Sequence, residues 1–532
     1  MAGIPSFIDT HGIPMGVAQA SFADDHGCLA GTDAAGSTFA YVRAQAAGGS
    51  GTRAAPFDSI GAALAANTKT ARLVVCVGGD ASAVLTEFVG DADINGNLPG
   101  QSYAFIGGFD AAFAHRALAS LSHIQAPSRT RGVFRFGNDH DVTVDGFDIT
   151  GGATGIEVGG WESGRKLVIR RNHVHDNWPT DPDYNGDGST GGINVKGVDI
   201  LIQDNTIAAN KGGRFGGGIY AGPATGVPDN TLDLTGTIPR LTQLAPGRVT
   251  IANNVIAGNQ TRGQSPHGAG IGLTMNALVQ HNLIDGNQSI AVDPGDAEGV
   301  GGGIMAFSAG SDIQVLDNWI IRNVARRGGS GVYMDEGALG RVAFNVIAFN
   351  EGIPLKVDAA SNGATKADTS VMYLSNNTVA FNKLPDAASP VLAIQSSAAV
   401  LMDNVFIGNG SDDDIELGLT DTGGRVAMVA GQRNVLTCRH MNGAQCVVSF
   451  AGAADQALAE TSVAATLPQP FPLFDAGAAW NFAPASTLPA SIASMVLPAG
   501  WGGPFAPAQT EDLLQRALSG AIPVGALGVR AP

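Results

Sequence analysis

A six-residue motif recurs eight times between residues 172 and 409, and it constrains the fold more than any other feature of the chain. It consists of Asn, any residue, an aliphatic residue or Phe, two further residues and a second Asn. The copies begin at Asn172, Asn205, Asn254, Asn282, Asn318, Asn345, Asn377 and Asn404, with a mean spacing of about 33 residues. Each copy predicts a short strand between two bends, because Asn tolerates left-handed backbone and forms local hydrogen bonds. Stacked copies can also align their Asn side chains in amide ladders.

A second apolar segment follows five of the copies, each time after a glycine. These segments read GGINVK, GGGIYAG, GAGIGLTM, GGGIMAF and GSGVYMDE. One repeat thus supplies two or three short strands that cannot bury their apolar face alone, which predicts a solenoid. The LxxLxL register of leucine-rich repeats and the markers of WD and kelch blades do not occur, which excludes those repeat classes.

Composition agrees with a strand-rich globular chain and limits its partners. Gly supplies 74 of 532 residues and charged residues only 14%, so a helical bundle or coiled coil is excluded. The net charge of −17 argues against a nucleic-acid partner, because phosphate binding needs a basic face. It suits solubility or cation binding. The sequence has no apolar run near the roughly 20 residues of a membrane span.

The repeat resembles the right-handed parallel β-helix of the pectate-lyase-like superfamily. The resemblance covers about residues 133–434 and implies an all-β solenoid. Residues 40–65 resemble the opening strand, Gly-rich turn and capping helix of many secreted β-helix proteins, and residues 510–530 resemble their closing coil. We therefore predict an irregular N-terminal tail at 1–38, an N-terminal cap with the first coils at 39–132, the β-helix repeats at 133–434, and a C-terminal cover with the closing coil at 435–532.

The same resemblance implies where the protein acts and on what. It implies a secreted or cell-surface protein that acts on or binds a polysaccharide, and we expect a monomer. The N-terminus has no positively charged start followed by an apolar stretch, so no secretory signal is visible in the sequence.

Strand periodicity predicts an outer face. If Ile156, Ile193, Ile219, Ile271, Ile304 and Val332 point inward, then the residues next to them, and every second residue after those, point outward. We expect exposed Tyr220, Met305, Phe307 and Tyr333 to form a groove with polar neighbours; the alternative is that loops cover these side chains as ordinary core. The predicted substrate-binding residues on this face and in its loops are Glu157, Asn194, Tyr220, His267, Phe307, Arg327, Tyr333 and Asp335.

The segment Asp183-Tyr184-Asn185-Gly186-Asp187-Gly188 matches the start of a calcium-binding loop. Alternate oxygen-bearing side chains converge on one point, and the final Gly allows a sharp turn. The position that should hold a Glu in a helical calcium loop is Asn194, which disfavours the helical form. We predict a Ca²⁺ site with the ligands Asp181, Asp183, Asn185 and Asp187; the alternative is a solvated acidic turn.

Lys196 and Arg214 are the predicted catalytic residues. A lyase acting on uronic acids must remove a proton next to a carboxylate, and so needs a base and a cation that neutralises the carboxylate. In β-helix lyases, to which the resemblance points, the base is commonly Lys or Arg. Lys196 follows the acidic loop on a predicted outer strand, and Arg214 lies in the loop of the next coil. Lys196 could equally be a solvated strand residue.

Three functions stay open from the sequence. The first is a Ca²⁺-assisted lyase for an acidic polysaccharide, and the second is a carbohydrate-binding or cell-surface β-helix without catalysis. The third is a glycoside hydrolase that uses Asp335 and a second carboxylate.

The sequence contains four cysteines, Cys28, Cys76, Cys438 and Cys446, which allow three pairings. Cys438 and Cys446 bracket a short hairpin-like segment, so we expect a local disulfide there. The alternative is two buried thiols.

Overall fold

The computed structural model describes residues 26–79, 82–90, 101–117, 121–137, 140–159, 166–180, 190–197, 199–223, 230–235, 239–263, 266–291, 299–308, 310–359, 368–385, 389–402, 404–407, 409, 416–420, 428–432, 435–436, 441–442, 445–446 and 449–450. They divide into two compact units. Unit N is the described part of Ile8–Pro228 and Pro246–Ile271, and unit C is the described part of Asp229–Ala245 and Gly272–Pro532.

In unit N the chain visits three parallel sheets in turn, and one visit to each completes a coil. Sheet A comprises Thr38–Arg43, Arg72–Gly78, Ser102–Phe109, Asp141–Asp145, Lys166–Arg170, Asp199–Gln203 and Arg248–Ala252. Sheet B comprises Val84–Thr86, Ser122–Gln125, Phe147–Thr150, His173–His175, Thr206–Ala208 and Val255–Ala257. Sheet C comprises Val89–Gly90, Phe134–Phe136, Ile156–Val158, Ile193–Gly197 and Ile219–Pro223. Lys211–Gly212 and Gln260–Thr261 form a small additional parallel pair.

Unit C repeats the same order of sheets. Its sheet A comprises Ala277–Gln280, Asp312–Leu316, Leu339–Ala343, Val371–Ser375, Ala398–Met402 and Met428–Gln432. Its sheet B comprises Leu283–Asp285, Trp319–Ile321, Val346–Ala348, Thr378–Ala380, Val405–Ile407 and Val435–Leu436. Its sheet C comprises Ile304–Phe307, Val332–Asp335, Leu355–Asp358, Leu392–Gln395, Glu416–Thr420 and Ser449–Phe450.

The remaining strands are short. Ile271–Leu273 contains the boundary between the units. In unit C, Gln288–Ser289 pairs in parallel with Val324–Ala325, and two antiparallel pairs join Thr231–Asp233 to Arg240–Gln243 and Met441–Asn442 to Gln445–Cys446.

Alternate residues along each strand point inward and form the core. Val142, Leu167, Ile200 and Val249 are register partners on successive strands of sheet A, and each is at most 2% exposed. Burial of one such side chain contributes roughly 1.5–3 kcal/mol. A coil contributes only a few of these residues, so the interior forms only when coils stack.

The Asn residues of the motif form the predicted ladders. Asn205 receives a bond from the Asn172 amide at 3.1 Å and donates to Asn254 at 3.0 Å. In unit C, Asn345 is joined in the same way to the preceding and following coils. These Asn side chains are buried, and their amides also satisfy backbone carbonyls.

Wherever the structure describes the residue before a motif Asn, that preceding residue has the left-handed backbone, which corrects our expectation that the motif Asn itself would adopt it. Arg171, Asp204 and Phe344, each directly before a ladder Asn, have φ of 55°, 57° and 58°. Because the Asn side chain must point inward to join its ladder, the bend falls on the preceding residue.

The first part of unit N contains a helix and a disulfide. The helix Ile60–Ala66 starts after Ser59, whose hydroxyl accepts a bond from the Ala62 N–H. The Glu87 carboxylate accepts from the first two helical N–H groups at 2.9 Å each. Cys28 and Cys76 form a disulfide. The predicted Cys438–Cys446 pairing stays a prediction, because Cys438 lies outside the described residues.

Both units are therefore parallel β-helices, as the repeat predicted. Within the part of the chain that the structure describes, no helix is long and apolar enough to cross a membrane.

Candidate functional site

The strands of sheet C contain most of the predicted site residues that the structure describes. The six residues expected to point inward, from Ile156 to Val332, are all completely buried. In unit N the outward column runs Glu157, Asn194, Tyr220, and in unit C it runs Met305, Tyr333, Lys356. The predicted register is confirmed in both units.

Lys196 is half-buried on the strand Ile193–Gly197. Its register partner on the next coil is Gly222, and one residue beyond the paired segment on the preceding coil lies Gly159. Neither neighbour has a side chain. Lys196 therefore stands in a slot between two glycines along the sheet.

Arg214, Phe215, Tyr220 and His267 form one cluster in unit N. The Arg214 guanidinium lies 4.9 Å from the centre of the Phe215 ring. That ring is 5.2 Å from the His267 ring and 6.0 Å from the Tyr220 ring. Tyr220 is one strand over and two residues along from Lys196, about 8 Å between Cα atoms. The structure thus brings together a cation, aromatic rings and the lysine strand.

Two other predicted residues of unit N lie elsewhere in the same column. Glu157 forms an ion pair with Arg135 at 3.6 Å, on the adjacent strand. Asn194 has the predicted register but is only 7% exposed, so little of it faces solvent.

Unit C contains three of the four side chains expected to be exposed, Met305, Phe307 and Tyr333, and the expectation is wrong for two of them. Met305 is 2% and Tyr333 4% exposed, because they pack against Val300 and the half-buried Phe307. For these two side chains the alternative is confirmed, namely that they are covered as ordinary core. Arg327, in the preceding loop, is exposed.

The buried Tyr333 hydroxyl connects two carboxylates. It donates to Asp335 Oδ2 at 2.9 Å and lies 3.3 Å from Asp358 Oδ2. Lys356 forms an ion pair with Asp358 at 3.4 Å, and its Nζ is 5.0 Å from the Tyr333 ring centre. Tyr333 and Asp335 were predicted from the sequence as substrate-binding residues. Asp358 was expected only as a polar neighbour in the groove, and Lys356 only as a member of the outward column.

Burial sets the protonation of this tyrosine–aspartate cluster. It raises the pKa of Tyr333 well above its usual value, and the charges of Asp335 and Asp358 add to this effect. Burial also raises the pKa of Asp358, against the opposing charge of Lys356 and with the help of Asp335. Asp358 therefore retains a proton more readily than a solvated aspartate.

The predicted calcium ligands Asp181, Asp183, Asn185 and Asp187 lie outside the described residues. Among the described residues, Asp148, His173 and His175 on sheet B bring donor atoms within 4.8 Å of one another. The segment NHVHDN was interpreted from the sequence only as one copy of the repeat motif. The available signal was its two histidines at i and i+2, which share one face of a strand.

One comparison with known proteins agrees with the fold. Residues 122–320 match the family described as a right handed beta helix region. With the stacked parallel sheets, this establishes the chain as a right-handed parallel β-helix protein. A search of curated proteins finds no match. Among solved structures, the chain is similar to a crystal structure of pectate lyase Pel9A, at 11% sequence identity and a TM-score of 0.38, over 92% of this chain and 96% of that one.

Proposed function

We propose that this protein is a polysaccharide lyase that cleaves an acidic, uronic acid-containing polysaccharide by β-elimination. The observation that supports it most is the position of Lys196 between Gly159 and Gly222, beside a cluster of Arg214, Tyr220 and His267. A sugar ring can approach the lysine where neighbouring coils have no side chain. Aromatic rings beside it suit a sugar face, and Arg214 suits its carboxylate.

In this mechanism the neutral Lys196 amine takes the proton from the carbon next to the uronate carboxylate. The electron pair forms a carbon–carbon double bond as the glycosidic carbon–oxygen bond breaks, and the departing oxygen takes a proton from water. Arg214 stabilises the negative charge that develops on the carboxylate.

Calcium belongs to the proposal as a second cation. The loop residues Asp181, Asp183, Asn185 and Asp187 would hold it, because carboxylate and amide oxygens are the ligands Ca²⁺ prefers. The loop directly precedes the strand of Lys196 in sequence. The ion would help to neutralise the substrate carboxylate.

Secretion is also part of the proposal. The Cys28–Cys76 disulfide supports an oxidising compartment, because disulfides persist mainly in extracellular and periplasmic proteins.

The test is absorbance near 235 nm, where unsaturated uronates absorb, with a panel of acidic polysaccharides, with and without Ca²⁺. We expect a rise that depends on Ca²⁺ and falls at least about 100-fold in Lys196→Ala. Lys166→Ala, on an exposed strand position of sheet A, is the matched control. Full activity in Lys196→Ala would exclude Lys196 as the base.

A glycoside hydrolase is the second candidate, favoured by the Tyr333–Asp335–Asp358 arrangement. The two accepting oxygens lie 2.9 and 3.3 Å from one hydroxyl, so they are at most about 6.2 Å apart. This limit lies below the ~6.5–9.5 Å of inverting hydrolases and is compatible with the ~5–5.5 Å of retaining hydrolases. Asp358, with its raised pKa, would be the acid.

This candidate predicts release of reducing sugar without absorbance at 235 nm. That release should be lost in Asp358→Asn and kept in the control Asp199→Asn, at an exposed position of sheet A. Binding of polysaccharide with neither product would instead support a non-catalytic carbohydrate-binding β-helix.

A further inference from the structure

A group of histidines and a carboxylate meets on the outer face of sheet B in unit N. Asp148 is the register partner of His123 on the preceding strand and of His173 on the following strand. His175 is two residues beyond His173 and so lies on the same face. The group thus spans three adjacent coils of the unit, on a different sheet from Lys196.

The donor atoms have the spacing that a metal ion needs. Asp148 Oδ1 lies 3.1 Å from His173 Nδ1 and 2.9 Å from His175 Nε2. Metal–ligand bonds of about 2.0–2.2 Å place neighbouring ligand atoms roughly 2.8–3.6 Å apart at ligand–metal–ligand angles of about 90–109°. The two imidazole rings stack with their centres 4.1 Å apart. Their nitrogens therefore need little rearrangement to share one ion with the carboxylate.

Neighbouring carboxylate oxygens orient the ligands. The second ring nitrogen of His175, Nδ1, lies 2.8 Å from Asp176 Oδ2. Metal-binding histidines commonly use the free ring nitrogen in this way, which fixes the tautomer that offers the other nitrogen to the ion. On the far side, His123 Nδ1 is 3.9 Å from the second oxygen of Asp148.

We propose that Asp148, His173 and His175 bind one divalent transition-metal ion of the Zn²⁺ type. Two imidazoles and one carboxylate suit such an ion, whereas Ca²⁺ and Mg²⁺ prefer oxygen ligands throughout. The three side chains are 22–40% exposed, so the ion can enter from solvent and keep a position for water. The ion links two coils, so it stabilises the folded chain over the unfolded one.

The experiment measures Zn²⁺ binding to the untagged full chain after EDTA treatment, by equilibrium dialysis with metal analysis and by thermal unfolding. We expect one equivalent bound per chain at this site and a rise in melting temperature that EDTA reverses. His173→Ala and Asp148→Asn should each remove that equivalent. Asp176→Asn should weaken it about 10- to 100-fold. Co²⁺ in place of Zn²⁺ should give visible d–d bands that vanish in His173→Ala.

The matched control is His115→Ala. His115 also pairs with an aspartate, Asp110 at 3.0 Å, but it is 86% exposed and forms no such triad among the described residues. This variant should bind Zn²⁺ like the wild type. Equal binding by the wild type and His173→Ala, with both folded in EDTA by circular dichroism, would overturn the proposal. So would a chain that binds no stoichiometric Zn²⁺.

Discussion

Asp145 in unit N and Asp358 in unit C are both carboxylates withdrawn from water, yet their surroundings move their pKa values in opposite directions. Asp145 is completely buried on sheet A. Burial alone would raise its pKa, but hydrogen bonds from His26 and Arg171 and the charge of Arg116 lower it far below the usual range. Arg170 adds a further bond, from its Nε to Asp145 Oδ2 at 2.9 Å.

Among the residues that the structure describes, Asp358 forms an ion pair with one cation, Lys356, and a second carboxylate, Asp335, lies nearby. Burial raises its pKa, and Lys356 offsets this only in part while Asp335 adds to it. The number of cations around these two buried carboxylates thus determines whether each stays ionised or can carry a proton. Asp145 is held ionised and serves the structure, whereas Asp358 can carry a proton, which acid catalysis requires.

The largest expected effect comes from Asp145→Asn. The substitution leaves buried Arg116 and Arg171 without their countercharge, and breaking a buried ion pair from one side costs about 3–5 kcal/mol. Urea unfolding followed by circular dichroism measures this loss. Asp285→Asn is the control, because that carboxylate is partly exposed and, among the described residues, forms an ion pair with Arg322 only. For this variant we expect a loss below about 1 kcal/mol. Equal losses would contradict the structural role of the Asp145 cluster.

A smaller effect is expected from Tyr333→Phe. This change removes the hydroxyl that two carboxylates share, and hydrogen bonds to charged groups contribute about 1.5–3 kcal/mol. Tyr41→Phe is the matched control in unit N, where the hydroxyl donates to the neutral carbonyl of Cys28 at 2.9 Å. For Tyr41→Phe we expect the free energy of unfolding to fall by about 1 kcal/mol. Thermal unfolding of the two variants side by side distinguishes these values, and a larger loss in Tyr41→Phe would contradict the prediction.

The repeat was sufficient to predict the fold because each copy encodes the same physical solution. An inward aliphatic residue or Phe and two buried Asn recur with each copy, so the strands, their parallel register and the amide ladders follow from the motif. The position of the left-handed residue did not follow, because Arg171, Asp204, Phe344 and their equivalents share no residue type. Their conformation comes from the ladder that the next residue joins.

Of the candidate site, the sequence could predict only which face of a strand each residue lies on. Alternation placed Lys196, Tyr220 and Asp335 on the correct face, since that depends on neighbours in sequence. It could not show that Tyr333 is buried, because the residues that cover Tyr333 are distant in sequence or lie in a loop. Val300 packs against Tyr333. The loop residues Gly328 and Gly329 lie so close to Lys356 and Tyr333 that a Cβ atom at either glycine would contact one of these side chains. The Asp148–His173 contact joins two coils 25 residues apart, and no local pattern encodes it.

The smallest effect is expected from Asp358→Asn, and its pH dependence has the opposite sign to that of Asp145→Asn. Because the pKa of Asp358 is raised in the folded chain, its charge opposes folding at neutral pH, and this opposition disappears as the pH falls below the unfolded value of about 3.9. The free energy of unfolding of Asp358→Asn should therefore be equal to that of the wild type at pH 7 or higher by less than about 1 kcal/mol. Near pH 3 the two values should not differ. Because the pKa of Asp145 is lowered, its stabilisation is complete above about pH 4 and declines below it, so the deficit of Asp145→Asn should narrow as acid is added. Urea unfolding of both variants and the wild type from pH 3 to pH 7 measures the two trends. Trends of the same sign would mean that one of the two carboxylates is surrounded differently from the arrangement described here.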